Sequence, residues 1–322
     1  MEMKYDLVAV GNAIVDVMAD ATDEQLTALG LPKGSMEIVD AEMAEDLYRR
    51  IGPAREMSGG SAANTTAGMA AHGSRVAFIG MTGADQLGDA FRHDIRAAGV
   101  DFDTNPIDEA TGRCLVLVTP CGQRTMRTYI GAAGRLPMES LNEDRIRKAG
   151  MLLVEGYLWS DPETRRAVIR AMEIANEEGR PIAFGASSVS CIEANMDDFQ
   201  KLMLEGWIDL LFANEEEVEA LTHAGDFKSG AHQLAEQVGL VVATRGRNGA
   251  SAITRLETFH VPAKSVERVV DTTGAGDSFC AGFLHAFVNE EGMLACLESG
   301  AVAAARTITH HGARPFSGDL RS

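Results

Sequence analysis

Asp271-Thr272-Thr273-Gly274-Ala275-Gly276-Asp277-Ser278-Phe279 joins two segments of different character. Val266 to Val270 reads as a short strand leading in, and the apolar run Phe279 to Phe287 reads as a helix leading out. Two glycines at i and i+2 let backbone N–H groups converge at a helix N-terminus, where unsatisfied donors and the helix dipole favour an anion such as phosphate. A carboxylate in that turn is ill suited to hold an anion. It is well suited to accept a proton from a hydroxyl approaching the phosphate, which makes Asp277 a candidate base. Taken alone, the turn is also what an ordinary N-cap by Asp277 or Ser278 looks like. Two other nucleotide motifs are excluded: no Gly-Lys-Ser/Thr string follows a glycine loop, and Phe279 stands where a dinucleotide fingerprint needs its third glycine.

Outward from this turn the chain alternates strand and helix. Leu7–Gly11, Val76–Gly80, Met151–Val154, Leu210–Phe212 and Val241–Thr244 are short, continuously apolar runs, the pattern of parallel strands buried on both faces. Helical stretches such as Ala62–His72, Asp89–Ala98 and Ala281–Phe287 lie between or after them. The expected architecture is an α/β three-layer sandwich with a mostly parallel central sheet. Two stretches break the rhythm with period-two patterns, Ala13–Val39 and Gly112–Ile130, the latter with a hairpin turn at Gly122-Gln123. They read as antiparallel strands forming a small β lid, or else as an edge extension of the main sheet. Residues 1–12, 40–104 and 134–322 are assigned to the core, and residues 13–39 and 105–133 to the lid.

The chain has 322 residues, 45% of them hydrophobic, with 33 glycines and 9 prolines, which fits a globular protein with many tight turns. Its formal charge of -18, from 47 acidic and 29 basic residues, disfavours nucleic acid or anionic lipid as partners. An ATP site on such a chain needs local help from backbone N–H groups, a few Arg or Lys and a divalent metal. Five cysteines, an odd number with no CxxC pair, read as reduced thiols of a cytoplasmic protein. The first residues lack a signal peptide's apolar stretch, and no apolar run approaches the length of a membrane span.

The nonapeptide at 271–279 resembles the C-terminal signature of the ribokinase-like (PfkB) family of carbohydrate and nucleoside kinases. Further strings match that family's motifs in order, from residue 11 to about residue 315. Gly11-Asn12 with Asp16 resembles its N-terminal substrate loop, and Ser58-Gly59-Gly60-Ser61-Ala62-Ala63-Asn64 its Gly-Gly-x-x-x-Asn turn. Gly80-x-x-Gly83-x-Asp85-x-x-Gly88, Asn214-x-x-Glu217 and Thr244-Arg245-Gly246-Arg247-Asn248-Gly249 resemble three more. The resemblance implies a parallel α/β core with a small β lid. It implies Asp277 as base and the N–H groups of Gly274, Ala275 and Gly276 as an anion hole. Thr244, Gly246 and Gly249 would line ATP, with Asn214 and Glu217 acting through water on Mg²⁺. Asn12, Asp16, Gly59, Gly60 and Asn64 would surround the acceptor. Without the other motifs, Asn214-x-x-Glu217 reads rather as a solvated acidic helix start.

Other candidates are open to two readings. Glu155 sits where a parallel strand opens onto a ligand crevice, and is otherwise a surface carboxylate. Arg127 on the lid can reach phosphate or form an exposed ion pair. Asp271 and Thr273, with carbonyls near Thr309–Gly312, resemble a K⁺ site seen in some family members, and also a locally satisfied turn. Within the family the strings Gly11–Val17, Arg124–Ala133 and Val154–Tyr157 are most similar to the nucleoside-kinase branch. That branch implies a small-molecule nucleoside, adenosine first, with Tyr129 or Met36 against the base. A sugar such as ribose or fructose is the alternative, and a ligand-binding homologue with weak turnover is the third reading. In one departure, Gly185-Ala186-Ser187-Ser188-Val189-Ser190-Cys191 has no carboxylate where relatives of this type carry an Asp. Exposed lid strands allow either a monomer or a homodimer.

Overall fold

Strand β1 (Leu7–Val10) sends Leu7 and Ala9 into one apolar cluster and Val8 and Val10 into another. A strand that feeds two cores must be covered on both faces, and the rest of the chain supplies the covers. The computed structural model describes residues 3–314. After β1 come β2 (Ile14–Asp20), β3 (Met36–Ile38), β4 (Arg55–Gly59), β5 (Val76–Ile79), β6 (Gly112–Val118) and β7 (Arg124–Tyr129). These are followed by β8 (Leu152–Glu155), β9 (Ile182–Gly185), β10 (Leu210–Asn214), β11 (Leu240–Thr244), β12 (Ala250–Ile253) and β13 (Thr258–Val261). The helices are α1 (Asp23–Ala28), α2 (Ala41–Arg50), α3 (Ser61–Ala71), α4 (Gln86–Ala97), α5 (Glu143–Arg147) and α6 (Pro162–Glu177). The remaining ones are α7 (Val189–Leu204), α8 (Glu215–Thr222), α9 (Phe227–Ala235), α10 (Ala275–Val288) and α11 (Met293–Thr307).

The large sheet runs β13-β12-β11-β10-β9-β8-β1-β5, parallel from β11 to β5, with β12 and β13 antiparallel at one edge. Helices α3, α10 and α11 cover one face, while α6, α7, α8 and α9 cover the other. This is the expected three-layer α/β sandwich. All the parallel strands end at the same edge, so Gly11-Asn12, Glu155, Gly185, Asn214 and Thr244 meet there, the usual ligand crevice of such sheets. Among the described residues no helix is long and apolar enough to cross a membrane.

The small sheet, β3-β7-β6-β2-β4, differs from its expected form in three ways. It is mixed, because β2 pairs parallel to β6 and β3 parallel to β7. It takes in β4, inside the 40–104 stretch assigned to the core. Its first stretch is interrupted by α1, which a Thr22–Gln25 capping box starts. The expected strand Val266–Val270 is also not formed. That segment runs irregularly, and the N–H of Val270 donates to Ile308 O at the end of α11 instead. Residues 1–2 and 315–322 lie outside the described residues, so the last part of the assigned core is not covered.

Candidate active site

Helix α10 begins at Ala275, so its N-cap is Gly274 and Asp277 lies in its first turn. Asp277 therefore does not cap the helix. Its Oδ1 accepts from Ser61 Oγ at 2.7 Å and its Oδ2 from Asn64 Nδ2 at 2.9 Å, both on α3. Small residues make that approach possible: a Cβ on Gly68 of α3 would overlap Ala281 of α10. Burial pushes the Asp277 carboxyl above its ordinary value, and the two hydrogen bonds and nearby Arg314 oppose the shift.

Gly274 has φ +70 and sits directly on Ala313, so the turn needs glycine there for conformation and for space. Gly276 is different, because no atom lies within 4 Å of where its Cβ would be. The Ala275 N–H donates to Thr272 O at 3.2 Å, closing the turn. Among the described residues none accepts from the N–H groups of Gly274, Gly276 or Asp277. The free donors are thus shifted from the expected set, with Asp277 taking the place of Ala275.

Beside these donors lies a cavity of about 410 Å³, with Thr244, Gly246, Gly249, Ala275, Gly276 and Phe279 in its wall. Most of its lining is apolar, from Phe279, Ala301, Ala304 and Ile308, with Arg247 and Lys264 as its cations. An apolar slot opening onto backbone donors fits the base and phosphates of ATP. Asn214 caps α8 through a reciprocal box, accepting from Glu217 N at 2.9 Å while Glu217 Oε2 accepts from Asn214 N at 2.9 Å. Glu217 is buried, not a solvated surface acid, and burial raises its carboxyl above the ordinary value. Among the described residues no three His, Cys, Asp or Glu side chains converge as a metal cage. A magnesium ion here fits only the water-rich, phosphate-held kind of site, for which one buried acid suffices.

Asp16 comes to the site from the small sheet. On β2, Ile14, Asp16 and Met18 share one face, opposite Cys114 and Val116 of β6 and Met126 of β7. Asp16 accepts no hydrogen bond from the described residues, and burial raises its carboxyl to about 7. Gly59 leaves it room, since a Cβ there would strike the carboxylate. Gly60 caps α3 with φ +95. Asp16, Asp277 and Arg314 are close enough to shift one another's protonation, so lid and core acids do converge. Asn12 is buried, and its Oδ1 has no partner among the described residues.

Glu155 is not a surface carboxylate. It is buried and accepts from Asn12 N at 2.6 Å and Ala62 N at 2.9 Å, tying the end of β1 to the start of α3. Burial raises its carboxyl to about 7, and the two N–H donors oppose that. Tyr129 pairs with Arg113, whose guanidinium lies over both the Tyr48 and Tyr129 rings. It therefore lies on the lid face opposite Asp16, whereas Met36, paired with Met126, lies on the Asp16 face. Arg127 is on that far face too, buried and paired with Glu37. The cations that do reach the site are Arg124 and Arg314, both missed in the sequence. Arg124 pairs with Asp271 at 2.9 Å. Asp271 also accepts from Thr273 N, Thr273 Oγ1 and Gly312 N, which is the locally satisfied turn. The Ser187–Ser188 turn has Ser187 at φ +78 and accepts the Tyr157 hydroxyl at Ser187 O.

Comparison with known proteins supports the same reading. An adenosine kinase from Sinorhizobium meliloti superposes with a TM-score of 0.91 at 41% identity, over 97% of this chain and 96% of that one. A probable sugar kinase from Rhizobium etli CFN 42 also scores 0.91, at 38% identity over 98% and 96%. A 5-dehydro-2-deoxygluconokinase of Listeria monocytogenes is 26% identical over 96% of this chain and 92% of its own. The model of the pfkB family carbohydrate kinases matches residues 36–318. A buried carboxylate beside unpaired backbone donors, on a fold shared with these kinases, thus has one family explanation: the chain belongs to the pfkB family carbohydrate kinases, phosphotransferases that use ATP and Mg²⁺ and act on a hydroxyl acceptor.

Proposed function

We propose that this kinase phosphorylates the hydroxymethyl group of a nucleoside, adenosine first, converting it to AMP. The observation that carries the reading is that Asp16 is the one acid on a lid face built largely from Ile14, Met18, Cys114, Val116 and Met126, with Thr128 and Arg124 as further polar members of that face. One carboxylate amid apolar side chains suits a ligand with a diol at one end and a flat, weakly polar base at the other. Exposed Met36 lies on the same face and extends that surface. The adenosine kinase relative at 41% identity supports the same choice.

Bound ATP would supply the phosphoryl group, and Asn214 and Glu217 would hold, through water, a Mg²⁺ that would offset its charge. In the protein's own part, Asp277 takes the proton of the acceptor hydroxyl, with Ser61 and Asn64 fixing its two oxygens. The N–H groups of Gly274, Gly276 and Asp277 steady the charge on the transferred group. Glu155 holds the Asn12 loop against α3 so that the acceptor end keeps its shape.

A sugar kinase is the second reading. Two buried polar atoms without partners among the described residues, Asn12 Oδ1 and Arg314 Nη2, ask for polar ligand atoms at the acceptor end. Ribose hydroxyls of a nucleoside and hydroxyls of a free sugar both supply them. The test is ATP consumption with Mg²⁺ against adenosine, other nucleosides, ribose, fructose and 5-dehydro-2-deoxygluconate, with and without K⁺. Turnover confined to adenosine supports the proposal, and turnover confined to a sugar overturns it. The Asp277→Asn variant is expected to lose turnover while ATP binding stays near normal; near-normal rates would remove Asp277 as base.

A further inference from the structure

Beyond α11 the chain enters the site. Gly312 N donates to Asp271 Oδ2 at 3.0 Å, Ala313 packs on Gly274, and Arg314 follows beneath the acids. Its Nε donates to Asn64 Oδ1 at 2.8 Å, and its Nη1 donates to Ser58 Oγ and lies 3.8 Å from Asp94 Oδ2. A guanidinium has five donors and no acceptor, so Asn64 can turn only its amide oxygen toward Arg314. Its Nδ2 is then left for Asp277 Oδ2, where it sits at 2.9 Å.

We infer that Arg314 is a positioning residue for the base: it fixes the Asn64 amide in the orientation that donates to Asp277, and it places a positive charge beside that carboxylate. The inference rests on the reading of Asp277 as base. Reversing the Asn64 amide would aim its oxygen at a carboxylate and turn a hydrogen bond into a repulsion. Loss of Arg314 therefore acts on Asp277 twice, through charge and through the amide.

The surroundings make the charge matter. Asp16 of β2, Glu155 of β8 and Asp94 of α4 bring negative charge to the same volume. Arg124 of β7 is already paired with Asp271. Cys280, one turn further along α10, is held as a neutral thiol by burial. Arg314 is the cation that lowers the Asp277 carboxyl. Its own guanidinium, pushed down to about 10 by burial, stays protonated at neutral pH.

Arg314 also joins β4, α3 and α4, so a purely structural role must be told apart from this one. The experiment is a pH profile of kcat and kcat/KM, with whichever acceptor the assay above identifies, for wild type, R314Q and R314K. R314Q is expected to lower kcat at neutral pH by about 100-fold, the low end of what a general base contributes. Its acidic limb should move up by about one pH unit. R314K keeps the charge without the fork, so its acidic limb should stay near wild type while kcat remains several-fold low. In an N64A background, adding R314Q should cost far less than it does alone. An R314Q enzyme with lowered melting temperature but an unmoved limb and wild-type kcat overturns the inference. If R314Q does not fold, wild-type kcat in R314K overturns the amide role. Should D277N retain its rate, the base reading itself fails; an inactive D277N beside a normal R314Q fails this inference alone.

Discussion

Arg124 of the small sheet and Asp271 of the glycine loop meet at 2.9 Å, and a second nitrogen of Arg124 donates to Thr272 Oγ1 at 3.4 Å. Asp271 is almost wholly buried, so this pair is worth more than an exposed one and bridges lid to anion loop. A lid held down over the acceptor keeps water from the transferring phosphoryl group. Arg124→Ala should raise the acceptor KM roughly tenfold, about 1.4 kcal/mol. ATP hydrolysis without acceptor should rise relative to transfer. Both are read in one coupled assay, and an unchanged transfer-to-hydrolysis ratio would show that the pair does not seal the site.

Asp16 holds a carboxylate beside apolar side chains with no hydrogen-bond donor among the described residues, and burial raises its carboxyl to about 7 against the pull of Arg314 and Arg124. An unfolded chain titrates it near the ordinary aspartate value of 3.8. Because the folded value is the higher one, ionisation opposes folding. The cost grows as pH rises from about 4 to about 7 and is constant above. The difference between 3.8 and about 7 corresponds to at most about 4 kcal/mol, less for a side chain that still touches water. Asp16→Asn should thus melt several degrees above wild type at pH 8 and show no gain below pH 4. The same variant should lose acceptor affinity far more than ATP affinity. Thermal melts at the two pH values and two titrations check this; a variant less stable at pH 8 contradicts it.

Most of the core was legible because its signals are local. Continuously apolar runs such as Val76–Ile79 became strands, and the Gly274–Asp277 turn became the start of a helix. The lid was less legible. Period-two alternation separates Arg124, Met126 and Thr128 from Thr125, Arg127 and Tyr129, but it does not say which set faces the site. Tyr129 was expected on the site side for that reason, Arg127 took the ion-pair alternative and does so buried, and Arg124 was missed. Residues that act through distant partners leave still less trace. Nothing local to Gly312-Ala313-Arg314 tells of Asn64, which is 250 positions away. Glu155 reads as an acid at a strand end, and only the fold shows that two backbone N–H groups claim it.

Those two contacts make Glu155→Gln a sharp test. Both carboxylate oxygens accept, whereas an amide offers one acceptor and one donor group. Its NH₂ must face the N–H of Asn12 or of Ala62, leaving a buried donor unmatched at a cost of about 1–3 kcal/mol. The variant should melt several degrees lower and show a raised acceptor KM, with the ATP KM much less affected. A Gln variant with wild-type stability would mean the loop relaxes freely, and that Glu155 does not hold Asn12 in place.

Gly274 and Gly276 look alike in the sequence but stand under different constraints, so alanine should separate them. At Gly274 an added Cβ meets Ala313 and the backbone sits at φ +70, a conformation costing an L-residue about 1–2 kcal/mol before any clash. Gly274→Ala should therefore lose both folding stability and activity. At Gly276 nothing lies within 4 Å of the new methyl group, and the position is inside a helix, where alanine is favoured by about 1 kcal/mol. Gly276→Ala should melt at or above the wild-type temperature. Its methyl group would project toward the open space beside the free N–H donors, where the anion-hole reading puts the transferred phosphoryl group. Turnover should then fall at least tenfold, about 1.4 kcal/mol in the barrier, in a protein that is no less stable. Paired melting and steady-state measurements on the two variants decide the matter. A fully active Gly276→Ala enzyme would mean that the phosphoryl group does not pass that position.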